Sequence, residues 1–589
     1  MASEYTAGKL SELELHQLAR IEQSKELLEQ SIEERSRKMT LQPQNEFSIP
    51  EETIRVACAA YPKGNRYMKM RDALGTIYQD QSFTHLFPHN GRPVEAPWRL
   101  ALITVMQFIE ELPDRQAADA VRGRIDWKYA LGLNLTDPGF DATVLCDFRT
   151  RLVQGGAEAL LLEVMLATFK ERGWLKERQQ QRTDSTHVLA KVRAINRLMC
   201  VGETMRFALN SLAVIAGDWL LEHCDPEWLD RYGHRIEEAH LPHQQAERQV
   251  LAEVIGRDGA TLLTELFASD APAVLREIPA IEILRRVWIQ NYGWEEGQLR
   301  WRSNDNVPPA TLFINSPYDH EARYGKKRET RWTGYKVHLT ETCEEDRPHL
   351  ITHVATTSAP TTDEQMTETI HEELEQAHLS PRQHFVDTGY ITAPILVSSQ
   401  QQYGIEMIGP RRPDVKWQAN SEHGIDVSQF RIDWEHQQAT CPEGHTSSSW
   451  TPAIDNRTNE VIKIRFSTTD CRSCPRLTSC TTSQSPTPRR LITVHPREQH
   501  EALQAARRRE QTPAFAKLYA RREGIEATIS QGVRAFDMRR SRSIGFDKTH
   551  LQHVSIAAAI NVVRIVAWLE GDLPTPTRVS AFQRLCAAA

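Results

Sequence analysis

A chain of 589 residues is long enough for about three or four domains. Its 40 % hydrophobic and 25 % charged residues fit a soluble globular protein, and ten cysteines in this length do not make a disulfide scaffold. A net charge of −7 argues against a simple nucleic-acid coat, which would be basic, but leaves local DNA binding open. Met1 to Lys9 holds no apolar run, so no secretory signal is expected and the cytoplasm is the expected compartment.

The first unit, 1–44, carries Leu10, Leu13, Leu15, Leu18, Ile21 and Leu27-Leu28 at helical spacing among charges. That pattern predicts a solvated amphipathic helix, either a pairing helix or a simple arm. Residues 45–178 read as a compact helical domain that would bind DNA. Helices are expected from Glu51 to Ala60, from Pro97 through Phe108, and from Asp114, with turns at Tyr61–Asn65 and Asp137-Pro138-Gly139. Arg122, Arg124, Arg149 and Arg151 are candidate phosphate contacts, although a solvated helix face explains any one of them as well.

The stretch Gln181–Ala190 is rich in β-branched residues and predicts a strand within 179–195. Alternation puts Asp184, Thr186 and Val188 on one face and Ser185, His187 and Leu189 on the other. A carboxylate in the middle of such a strand is costly unless it is paired, and a metal ion is one such partner. Residues 196–300 read as a helical insertion punctuated at Asp258-Gly259 and Pro272, with Trp219, Trp228, Trp288 and Trp294 expected in its core.

Strands resume in 301–410: Arg331–Thr340, His349–Thr357, His384–Tyr390 around Asp387, and Ile405–Pro410, with a helix at about Asp363–His378. Residues 411–500 form a second insertion holding Cys441, Cys471, Cys474 and Cys480. A Cys-x-x-Cys with two further cysteines suits a tetrahedral Zn²⁺ site. Cys441 lacks a cysteine three residues on, so His445 is the alternative fourth ligand, and reduced thiols or a redox role are the other readings. Residues 501–570 are helical and locally basic, and 571–589 form a tail. Val554–Leu569 is apolar but interrupted by Asn561 and Arg564, so it predicts a buried helix rather than a membrane span.

The order strand, helical insertion, strand, strand, helix, strand, helix, strand resembles an α/β RNase H-like fold, whose first and fourth strands each carry a metal-binding Asp. Here those are Asp184 and Asp387. A third carboxylate is expected from a later helix, where Tyr519, Arg522 and Glu526 share one face and Glu523 is the runner-up. Three carboxylates suit two Mg²⁺ or Mn²⁺ ions roughly 4 Å apart, which would hold both oxygens of a phosphodiester exchange in line.

The sequence resembles the DDE transposases of bacterial insertion sequences. The resemblance rests on Asp184-Ser185-Thr186, Ser316-Pro317-Tyr318-Asp319 leading to Trp332–Lys336, Asp387-Thr388-Gly389-Tyr390, and Arg522 with Ile525-Glu526. It extends to Ile125–Tyr129 and Phe148–Leu152, as in the subgroup with a helical N-terminal domain, and covers roughly residues 45 to 570. It implies binding of double-stranded DNA at the element's ends, metal-dependent cleavage, and strand transfer into a target by a homodimer on DNA, with no membrane role. It further implies a Tyr-Arg-Glu-Lys signature that Tyr519, Arg522 and Glu526 fit; the Lys position falls on Val533, with Arg534 beside it. Tyr519, Arg522, Arg534 and Lys336 are the implied DNA contacts, and His187 and His338 are candidates to line the site. The competing readings are a regulator that binds the ends without cutting, and a general nuclease.

Overall fold

The computed structural model describes residues 48–87, 96–413, 415–456 and 458–572, together with 39–40, 92–93 and 585. The amphipathic helix expected over residues 10–38 and most of the tail lie outside these residues. The fold is mixed α/β.

The central sheet is built on β1 (Gln180–Leu189). β1 pairs antiparallel with β3 (Thr330–Thr342), which carries β4 (Ile351–Ser358) on its other side and is extended by β2 (Arg323–Lys327). On its second edge β1 runs parallel to β5 (Gln383–Phe385), and β5 runs parallel to β6 (Glu406–Ile408). Between β4 and β5 comes α1 (Asp363–Gln376), and between β5 and β6 comes α2 (Ala393–Tyr403). The expected strands and helices of the sheet occur in the expected order, with β2 as an additional strand that was not expected. The fourth strand is shorter than expected, because Thr388–Tyr390 coils into a 3-10 turn after Phe385.

β1 is central and buried on both faces, so its polar residues must find partners inside the protein. Gln181 donates to the Leu379 carbonyl at 2.6 Å, and Arg182 donates to Glu341 at 2.7 Å. Thr183 meets Thr340 and His384, each at 2.6 Å, and Thr186 accepts from Arg539 at 2.8 Å.

One apolar core runs from the N-terminal helices through the sheet to α4 (Phe546–Leu569), joining Trp98, Phe148, Val188, Val337, Ile370, Ile525 and Val554. The N-terminal helical region thus shares its core with the sheet and is not packed on its own. α4 and Arg197–Ile215 are long and apolar enough to cross a membrane, yet 78 % of the most apolar window of α4 is buried inside the protein. The two polar breaks in α4 have structural work. Asn561 accepts from the Ile351 backbone N–H at 2.7 Å and donates to its carbonyl at 2.8 Å, covering part of β4. Arg564 reaches Glu341 at 2.6 Å.

Residues 197–291 are helical and hold a separate core, which includes Trp219, Trp228 and Trp288. Asp258-Gly259 does not interrupt it; one helix runs through from Gln245 to Leu266. The glycine serves close packing instead, since a Cβ at Gly259 would stand 2.0 Å from the Trp288 ring. Asp258 is tied to Arg231 and Tyr232. Trp294 is not core: it lies 71 % exposed on a hairpin formed by Tyr292–Glu295 and Gln298–Trp301.

Residues 431–494 contain a two-stranded and a three-stranded antiparallel sheet around a small core of Phe430, Ile464, Phe466, Ile492 and Val494.

Candidate active site

The parallel pairing of β1 with β5 matches Arg182 to Phe385. Asp184 and Asp387 each lie two residues beyond that matched pair, and their carboxylates are near enough to act on each other's charge. Asp387 caps the 3-10 turn, its Oδ1 accepting from the Gly389 N–H at 2.7 Å. Asp184 Oδ1 accepts from the Ser185 N–H at 2.7 Å, and its Oδ2 accepts from Arg522 Nη2 at 2.6 Å. The other terminal nitrogen of Arg522 donates to Glu526 at 2.5 Å. One guanidinium thus bridges a carboxylate on β1 and a carboxylate on α3 (Gly524–Ala535).

The sequence pattern predicts a single helix through Tyr519, Arg522 and Glu526. Instead, a helix ends at Tyr519, a 3-10 turn spans Ala520–Glu523, and α3 begins at Gly524. Arg182 explains the tightening: its guanidinium takes the Arg521 carbonyl at 2.6 Å and lies where a Cβ on Gly524 would be. The backbone stays right-handed, so the spacing of four that lets Arg522 reach Glu526 survives.

Burial pushes the Asp184 carboxyl up to about 6; Arg522 opposes the rise and Asp387 adds to it. Burial also raises the Tyr519 hydroxyl; Arg522 opposes this, and Asp387, Asp184 and Glu526 reinforce it, so Tyr519 belongs to the same cluster. Its ring stacks on Phe515 at 5.6 Å. The Arg522 Nε is buried without a hydrogen-bond partner.

Among the described residues, no three His, Cys, Asp or Glu side chains stand ready as a metal-ligand set. The chemistry of the donors nevertheless suits a hard divalent cation: they are all carboxylate oxygens, and Asp184 is raised by burial, a penalty on its charged form that a bound cation would offset.

The remaining expected residues fall in different places. Lys336 is buried on β3, with its ammonium on the Thr361 carbonyl at 2.5 Å and on Asp363 at 3.2 Å. His338 is fully buried against the Tyr390 hydroxyl at 2.7 Å, and burial pushes it down to about 3, so it is neutral. His187 packs on Trp332 at the surface end of β1. Arg534 lies exposed in the last turn of α3. In the N-terminal region, Arg122 pairs with Asp119, Arg124 with Glu110 and Asp126, and Arg149 with Asp114, while Arg151 lies over Phe87.

Cys441, Cys471, Cys474 and Cys480 line one small cavity of about 30 Å³ together with His445. None is in a disulfide, and the Arg490 N–H points at Cys471 Sγ at 3.5 Å. Burial pushes the Cys480 thiol up to about 11, Arg490 opposes, and the other three thiols reinforce the rise.

Sequence reasoning passed over Asp363, which the structure places within this region. An Asp in a first helical turn is common for its effect on the helix dipole, so nothing in its local pattern marks it out.

Two families match the chain. The one described as Transposase DDE domain matches residues 440–566, which include the four cysteines, Arg522 and Glu526. The one described as Transposase domain (DUF772) matches residues 57–151 in the N-terminal helical region. No curated protein matches.

Proposed function

Because the chain belongs to the DDE-type transposases of insertion sequences, we propose that it binds the ends of its own element and catalyses metal-dependent DNA cleavage and strand transfer. The observation that carries this reading is the Arg522 bridge between Asp184 and Glu526, with Asp387 near enough to act on the Asp184 charge. It draws one acid from the first strand, one from the end of the fourth and one from a late helix into a single cluster, as an RNase H-like core would.

Asp184, Asp387 and Glu526 are the residues that would hold Mg²⁺ or Mn²⁺. Bound there, the ions would supply an activated water or 3′-hydroxyl and a counter-charge for the leaving oxygen. Once cations took over Asp184 and Glu526, the Arg522 guanidinium would be released to a phosphate near the scissile bond. Tyr519 lies close enough to the same carboxylates to help orient that phosphate. Arg534 supports the DNA backbone further along α3. The four cysteines form a structural Zn²⁺ site in this reading. The working form is a homodimer on double-stranded DNA in the cytoplasm, since two ends must be brought together.

Cleavage of a plasmid carrying the DNA that flanks this gene, in Mg²⁺ or Mn²⁺, tests the proposal. Asp184→Asn, Asp387→Asn and Glu526→Gln are each expected to abolish cutting and to leave binding within about threefold. A wild-type protein that binds these ends and never cuts would instead be a regulator. One that cuts DNA lacking the ends equally well would be a general nuclease.

A further inference from the structure

The loop that carries Asp387 is held from behind. A Cβ on Gly389 would stand 2.9 Å from Asp387 Oδ1 and 3.0 Å from Asp363 Oδ2, so the two carboxylates flank one glycine. Asp363 opens α1, and its side chain is only 12 % exposed. It accepts from the Ser185 hydroxyl at 3.0 Å and from the Lys336 ammonium at 3.2 Å. Ser185 is the residue next to Asp184. Tyr390, in the turn after β5, meets His338 through its hydroxyl at 2.7 Å. The groups around Asp363 come from β1 (Ser185), β2 (Lys327), β3 (Lys336, His338) and the turn after β5 (Gly389, Tyr390).

Each Asp of the proposed metal pair thus has a neighbour in direct contact with Asp363. Such contacts around a ligand set its orientation, and their loss commonly costs tenfold to a hundredfold in metal affinity.

We infer that Asp363, clamped by Lys336 and Ser185, is a positioning residue that sets the separation of Asp184 and Asp387 for divalent-cation binding. The inference rests on the metal reading of the site. Asp363 itself need not touch the cation or the DNA. Lys336 acts here from inside the fold, as the counter-charge that keeps the Asp363 carboxylate in place.

The test is Mn²⁺ titration of the full chain followed by electron paramagnetic resonance, alongside thermal melting. Asp363→Asn is expected to melt within a few degrees of the wild type and to need at least tenfold more Mn²⁺ for half-saturation. Ser185→Ala, which removes only one link, should shift the same way by a smaller factor, and it decides the matter if Asp363→Asn does not fold. Unchanged Mn²⁺ affinity in a folded Asp363→Asn, or in Ser185→Ala where that variant decides, overturns the inference and leaves the metal reading standing. A wild-type protein that takes up no Mn²⁺ overturns both.

Discussion

Glu341 is fully buried on β3 and yet carries a charge. Burial pushes its carboxyl up, but Arg564 and Arg182 outweigh that and hold it below its ordinary value. Thr528 on α3 adds a hydrogen bond at 2.6 Å. The group joins β1, β3, α3 and α4, the elements that set Asp184 against Arg522. A carboxylate whose folded value is depressed stabilises the fold above the ordinary carboxylate range. That stability is lost as pH falls through the lowered value. Glu341→Gln leaves two buried guanidinium groups short of charge and is expected to cost roughly 3 kcal/mol at neutral pH. Chemical denaturation at a series of pH values checks this. The gap between wild type and variant should close as the solution turns acid, and a gap under about 1 kcal/mol at neutral pH would mean that the arginines find other partners.

Among the elements, the Cys-bearing module is the one with the least apolar support. Seven residues make its buried cluster: Ile425, Phe430, Ala439, Ile464, Phe466, Ile492 and Val494. So small a core needs a further constraint, and a Cys-bound metal is a common one. Protein purified without chelator is expected to carry one zinc per chain. Stripping it should unfold residues 431–494 first, read as new protease cuts there, while the central sheet persists. Protein with four free thiols, no zinc and an intact module would remove the zinc reading. This module also shows where sequence reading stops. Its cysteine spacing was legible, but its strands are short and mostly half-exposed, and they lack a clear alternation. β1, β3, β4 and α1 were legible because β-branched or helical periodicity survives in them. Gly259 misled because a helix that packs closely on Trp288 needs glycine where a turn would also use it. The two aspartates proposed for the site stand out in the sequence by their strand context, whereas Asp363 does not, since its partners come from three distant segments.

For the whole molecule, the governing fact is that α4 closes a core begun some 450 residues earlier in the chain, touching Pro97–Ile109, Leu160–Glu171 and β4. The N-terminal helical region therefore depends on the last described helix. A chain cut before Phe546 is expected to lose cooperative unfolding throughout and not merely in the sheet, as calorimetry would show. Independent melting of residues 48–175 expressed alone would contradict this.

Arg522 stands 338 positions after Asp184, the carboxylate it holds. At roughly 5–20 residues per second, a ribosome takes roughly 17–70 s to travel between them. Through that interval the nascent polypeptide has its first acid and then its second, with neither the bridging cation nor the third. Translation thus acts as a timer, and a message broken upstream of codon 522 yields a product with the strands of the site but without its bridge.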